Sequence, residues 1–156
     1  MPLLRAALSW NFVLATAICA SLLAQLIKVL LNLFIFHRFI AERMWGAGGM
    51  PSSHSATVCA MVVATGRYCG VNSPLFAIAA VLSIIVMYDA MGVRYETGEQ
   101  AKVLNRMFTE WMDQGFEQFQ LPHGKKLKEM VGHTPLQVVA GFLVGLAVGL
   151  LYPLGL

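Results

Sequence analysis

Five ionisable residues in this 156-residue chain could together handle a phosphate: Lys28, His54, Asp89, Arg94 and His133. His54 lies in "GAGGMPSSHSAT" (Gly46 to Thr57), whose glycines and proline forbid a regular element. Ser52 or Ser53 followed by an apolar run reads as a helix start. Such a start presents free backbone N–H groups and the positive end of the helix dipole, a seat for an anion. A histidine there can exchange a proton with that anion, although a capped loop carrying an idle histidine fits the same stretch. Two histidines, two or three cations and two helix N-termini around one point suit phosphoryl transfer. A dianionic phosphate needs cationic clamps, one group to attack it and one to protonate the leaving oxygen.

The elements that would gather these residues belong to a membrane. The chain is 58% hydrophobic and 12% charged, and its mean hydropathy is +0.67. Its net charge of +3 comes without a lysine/arginine block, so no nucleic-acid partner is expected. Cys19, Cys59 and Cys69 sit in apolar runs at no metal-ligand spacing, and neither a metal nor another cofactor is expected. The length suits a single domain over residues 1–156. The N-terminal apolar run is too long for a cleaved signal peptide and has Lys28 within it.

The expected fold is all-α, an integral membrane bundle of about four spans with one amphipathic helix. The apolar stretches are Phe12 to Phe36, Ser55 to Gly70, Pro74 to Val93, and Pro135 to the C-terminus, the second being marginal in length. Gln25, Lys28 and Asn32 share one face of the first. Between the third and fourth lies a polar insertion, 95–132. There Leu104, Met107, Phe108, Trp111, Met112, Gly115, Phe116 and Phe119 trace one helical face, opposite Lys102, Arg106, Glu110, Asp113 and Glu117. Thr97 and Gln100 have the spacing of a capping box for this helix. It would lie at the membrane interface or pack on the bundle.

If all four runs span, the loop 37–54 and the segment 94–134 share one side. That side holds Arg38, Arg43, Arg94, Lys102, Arg106, Lys125, Lys126 and Lys128, against Arg5 and Arg67 opposite. The basic side is then cytoplasmic. The same topology brings Lys28, His54, Asp89, Arg94 and His133 to that side. Intramembrane Lys28 is a functional candidate by default, since it sits too deep to snorkel easily. Asp89 would pair with Arg94 or Lys28, because an unpaired carboxylate there is costly. His37 and His123 fall in polar connections and read as solvated.

"GGMPSSHSA", "YDAMGVRYETGEQAKVLN" and "GHTPLQVVAG", in this order, resemble the divergent branch of the type-2 phosphatidic acid phosphatase and vanadium haloperoxidase superfamily. The resemblance runs from about Asn11 to Tyr152. It implies a phosphohistidine mechanism without a metal, with His133 as nucleophile and His54 as general acid. By position it implies phosphate contacts from Lys28, Arg94, Ser52 and Ser53. The wider superfamily's first motif is KxxxxxxRP; here Ile35 stands at its arginine, with Arg38 as a substitute. Ser53 replaces the glycine of PSGH, and Gln137 occupies the usual acidic position four after the nucleophile. Gln137 would orient His133. "TPLQ" also has the form of a capping box, with Thr134, Pro135 and Gln137 at N-cap, N1 and N3.

The expected activity is hydrolysis of a lipid phosphate monoester, of phosphatidylglycerophosphate, phosphatidate or polyprenyl phosphate type, at the cytoplasmic face of a bacterial plasma membrane or its equivalent. The alternative is a lipid-phosphate binding or scaffold protein without turnover; vanadate-dependent peroxidase chemistry suits a membrane-embedded site less well. Expected partners are the lipid substrate and membrane lipids, with a homodimer plausible for so small a bundle.

Overall fold

A computed structural model describes residues 11–36, 49–114, 126–129 and 131–154. Arg38 lies outside the described residues, as do His37, Arg43, His123 and Lys125. All regular structure among the described residues is helical: α1 (Phe12–Phe36), α2 (Ser53–Cys69), α3 (Pro74–Met91), α4 (Val93–Asp113) and α5 (Pro135–Leu151). α1 and α3 are long and apolar enough to cross a bilayer. α2 and α5 have 17 residues each, about 25 Å of helix, a little short of a hydrocarbon core of about 30 Å.

α2 is the central helix, packed against α1, α3 and α5. It can carry Ser53, Ser55 and Thr65 in buried positions because neighbouring helices, rather than lipid, cover it. Small residues allow this packing. Ala20 and Ala24 of α1 meet Ala56 and Ala60 of α2, with Val148 of α5 completing the cluster. Gly141, Gly145 and Gly149 form a one-sided stripe on α5, and α2 fills the space their side chains would need, with backbone at the first two and the Val63 side chain at Gly149. A Cβ on Gly141 would collide with the Ser52 carbonyl, and one on Gly145 with the Ala56 carbonyl. Between apolar helices in lipid, where burial supplies little drive, such close backbone approach provides the dispersion contact that holds them.

The end of the bundle away from the histidines is tied by Arg67. Its Nη1 donates to the carbonyls of Gly149 (2.6 Å) and Tyr152 (2.8 Å) at the end of α5. Its guanidinium lies 5.6 Å from the centroid of the Phe12 ring at the start of α1. One cation thus satisfies carbonyls that α5 leaves unpaired and joins three helices.

α4 departs from the sequence expectation at its start. The Thr97–Gln100 capping box is absent: the helix begins at Val93, and the Thr97 hydroxyl donates to the Val93 carbonyl at 2.7 Å one turn inside it. Gly92 alone separates α3 from α4, bending the chain without ending it, so no free N-terminus remains for Thr97 to cap. A threonine inside a helix turns to the carbonyl four residues back. α4 leaves the bundle, with Leu104, Met107 and Met112 exposed on its apolar side. Glu99–Lys102 (2.6 Å) and Arg106–Glu110 (3.0 Å) lie on its polar side. Its third stripe, Gly98, Ala101 and Asn105, is buried.

Candidate active site

The site is assembled where α2 and α5 begin together. Ser52 is the N-cap of α2, its hydroxyl accepting from the Ser55 N–H at 3.4 Å. Its own N–H donates to the carbonyl of Gln137 at 3.0 Å, which sets the first turn of α2 beside the first turn of α5. Both positive helix ends therefore point to one region. Ser52 is fully buried and engaged in this junction; Ser53 follows it, 7% exposed.

Lys28 reaches the same level from α1. It is 1% exposed, so its ammonium does not snorkel into water. Its aliphatic stem lies against Gly49, where a Cβ would come within 3.3 Å of Lys28 Cδ. Gly49 also has φ +87°, a backbone region that favours glycine, so the loop before Pro51 needs this residue for two reasons. α1 continues for eight residues beyond Lys28, about 12 Å, so the site is recessed below the end of that helix.

His133 is delivered by the segment that returns from α4 to α5. Asn105, 5% exposed, holds this segment at both backbone polar groups of Leu127: its Oδ1 accepts from the Leu127 N–H (2.8 Å) and its Nδ2 donates to the Leu127 carbonyl (2.9 Å). Nδ2 also donates to Glu129 Oε1 at 2.8 Å. Further along, the segment presses on α4 so closely that a Cβ on Gly98 would strike the Glu129 carbonyl, and one on Gly132 the backbone of Tyr95. Finally the His133 N–H donates to the Ala90 carbonyl of α3 at 3.0 Å. Asn105, Gly98 and Gly132 are positioning residues that sequence reasoning overlooked, although all three lie inside the motifs that carried the family resemblance.

The His133 ring is 2% exposed, and its Nδ1 lies 3.1 Å from Gln137 Oε1. The same oxygen accepts from the Thr134 backbone N–H at 3.2 Å. A backbone N–H can only donate, so the amide must present its oxygen here. Nδ1 must then carry the proton, leaving the lone pair on Nε2. Nε2 is buried and has no hydrogen-bond partner among the described residues. Burial, the largest influence, pushes the His133 pKa below the ordinary histidine value; the bond to Gln137 opposes this, and the positive charges of Lys28, His54 and Arg94 add to it. Burial thus favours the neutral form of the ring.

His54, exposed in the first turn of α2, stands edge-on to His133, with ring centroids 6.0 Å apart and planes at 60°. The two histidines, Asp89, Arg94, Val86, Ala90 and Val131 line a cavity of about 20 Å³, room for roughly one water. A phosphate would therefore sit at its mouth, where His54 and Arg94 are accessible. Asp89 takes Arg94 as its partner, Oδ2 to Nε at 2.5 Å, across the Gly92 bend. Both side chains are partly exposed, so the pair aims the guanidinium more than it stabilises the fold. Of the residues expected in the site, His54, Asp89, Arg94 and His133 line this cavity. Gln137 backs it through His133. Lys28 approaches as a charge felt by both histidines. Among the described residues no cluster of histidine, cysteine and carboxylate side chains could hold a metal ion.

A sequence profile of the family described as "Divergent PAP2 family" matches residues 9–148. The chain is also similar to YuiD of Bacillus subtilis (strain 168), an uncharacterized membrane protein. The two are 37% identical over 142 residues, covering 87% of this chain and 90% of the relative. No solved structure matches.

Proposed function

We propose, from the premise that this chain belongs to the divergent PAP2 family, that it is a membrane phosphatase that hydrolyses a lipid phosphate monoester through a phosphohistidine. The observation that carries this reading is the state of His133: Nδ1 committed to Gln137, Nε2 buried and unpartnered among the described residues, and the residue lining the same cavity as His54. Nε2 attacks phosphorus and the bond from phosphorus to the lipid oxygen breaks, while His54 gives that oxygen its proton. Water then attacks the phosphohistidine, with His54 taking its proton, and inorganic phosphate leaves as Nε2 recovers its lone pair. Arg94, Lys28 and the first-turn N–H groups of α2 balance the phosphoryl charge.

The recessed position favours a lipid headgroup of the phosphatidylglycerophosphate, phosphatidate or polyprenyl phosphate type. The basic residues of the sequence favour a site on the cytoplasmic face of a bacterial plasma membrane or its equivalent, with all four apolar helices passing through the bilayer. The apolar side of α4, uncovered by the bundle, would rest on the membrane interface.

The neutral amide at Gln137 gives a second reading its footing: a protein that binds lipid phosphate without turning it over. Phosphate release by purified protein in detergent from a panel of lipid phosphates separates the two. Wild type should release phosphate and form an acid-labile phosphoenzyme, and His133→Ala should do neither while still binding vanadate. Binding without release in wild type would select the second reading.

A further inference from the structure

The histidine cavity and a second concave surface lie one after the other along α3. On α3, Ala80, Ser83, Met87 and Ala90 follow one another at spacings of three and four, so they share one helical face. Ala90, with Val86, lines the small cavity between the histidines. Ala80, Ser83 and Met87 line an apolar groove of about 260 Å³, closed by Cys59 of α2 and by Phe142 and Leu146 of α5. α2 and α3 thus line the histidine cavity at one end and the groove deeper in, and α5 adds Phe142 and Leu146 to the groove. Along α3 the groove extends about 10 Å from Met87 to Ala80, at 1.5 Å per residue. α3 and α5 barely touch. The groove therefore opens sideways to the bilayer between them, where Ile84 is 64% and Phe142 39% exposed.

We propose that this groove between α3 and α5 holds one hydrocarbon chain of the lipid whose phosphate meets His133, a proposal that rests on the phosphate-site reading above. Its lining is apolar and its floor is made of small buried side chains, Cys59 and Ser83, which suit a narrow methylene chain better than a ring or a branched headgroup. A phosphate at the mouth of the histidine cavity would leave its tail beside Ala90 and Met87, already facing the groove. A larger groove of about 580 Å³, lined by Phe12, Met61, Tyr68, Leu75 and Ile78, lies at the Arg67 end of the bundle. It is the wrong end for a chain anchored at His133, and its size does not make it the tail site.

Photo-crosslinking tests this without requiring turnover. Phosphatidate with a diazirine midway along one acyl chain would be placed in phosphatidylcholine nanodiscs with the full chain, irradiated, and the adducts mapped by mass spectrometry. Adducts should concentrate on Ile84, Met87 and Phe142, and fall at least about tenfold with diacylglycerol bearing the same diazirine. They should persist in His133→Ala. If wild type releases no phosphate yet shows these phosphate-dependent adducts, hydrolysis fails and the groove stands. Adducts at Leu75 and Ile78 instead, or equal yields with diacylglycerol, would overturn the proposal.

Discussion

Gln137 serves His133 and the α5 terminus with the same atom: Oε1 accepts from the Thr134 N–H at 3.2 Å and faces His133 Nδ1 at 3.1 Å. Capping and orienting, which the sequence offers as alternatives, are therefore one arrangement. The helix cap holds the amide oxygen in place, and the oxygen in turn selects the histidine tautomer. Gln137→Ala should lower kcat by tenfold or more and also reduce stability by about 1 kcal/mol. A drop in melting temperature with kcat unchanged would leave only the cap.

The pH profile distinguishes amide from carboxylate. Because burial depresses the His133 pKa, the acid limb of kcat/KM should lie below the ordinary histidine value of about 6.5. Gln137→Glu should move that limb upward, since a carboxylate beside Nδ1 favours imidazolium. The sign for folding follows from the same depression. His133 binds fewer protons folded than unfolded, so its contribution is fully present above about pH 6.5 and is lost as pH falls toward the folded value. Denaturation midpoints measured in detergent between pH 7.5 and 4.5 should fall less in His133→Ala than in wild type. Identical slopes would show that His133 is not held neutral.

His54 should matter most where the leaving group is poor. General-acid assistance is worth on the order of 10²–10⁴ in rate. His54→Ala should lose that factor with an alkyl lipid phosphate and far less with p-nitrophenyl phosphate, whose leaving group needs no proton. Equal losses on both would make His54 a phosphate ligand.

Lys126 lies exposed on the return segment and reports the side on which the site opens. In a background lacking native cysteines, Lys126→Cys should react with an impermeant maleimide only from the cytoplasmic side. Reaction from outside alone would invert the topology and move the substrate to the other leaflet.

Asn105 touches neither histidine, yet its three hydrogen bonds set the path of the segment that carries His133. Asn105→Ala would leave the backbone polar groups of Leu127 without these partners, at about 1–3 kcal/mol for each one that stays buried. The expected kinetic signature is a fall in kcat with KM little changed, because Lys28 and Arg94, the proposed phosphate contacts, are not carried by that segment. Asn105→Asp should restore only the half of the clamp in which Oδ1 accepts from the Leu127 N–H. A lower melting temperature with kcat intact would confine Asn105 to the fold.

Local chemistry sufficed for the four apolar helices and for the caps of α2 and α5. The four apolar runs, a cap at Ser52 or Ser53 and the Thr134–Gln137 box were all legible because each depends on residues within about one turn of another. The family motifs likewise marked both histidines and Arg94. Three further decisions needed the folded chain. Asp89 could have met Lys28 or Arg94, and the Gly92 bend settled it by folding Arg94 back beside Asp89. Thr97 looked like a cap because its spacing to Gln100 is right, but the helix had already begun upstream, through a lone glycine that bends rather than stops it. Asn105 and Leu127 are 22 residues apart, and no periodicity relates them. Only the return of the chain along α4 makes Asn105 a clamp, since a side chain acquires a distant partner when packing has excluded the water that would otherwise satisfy both groups.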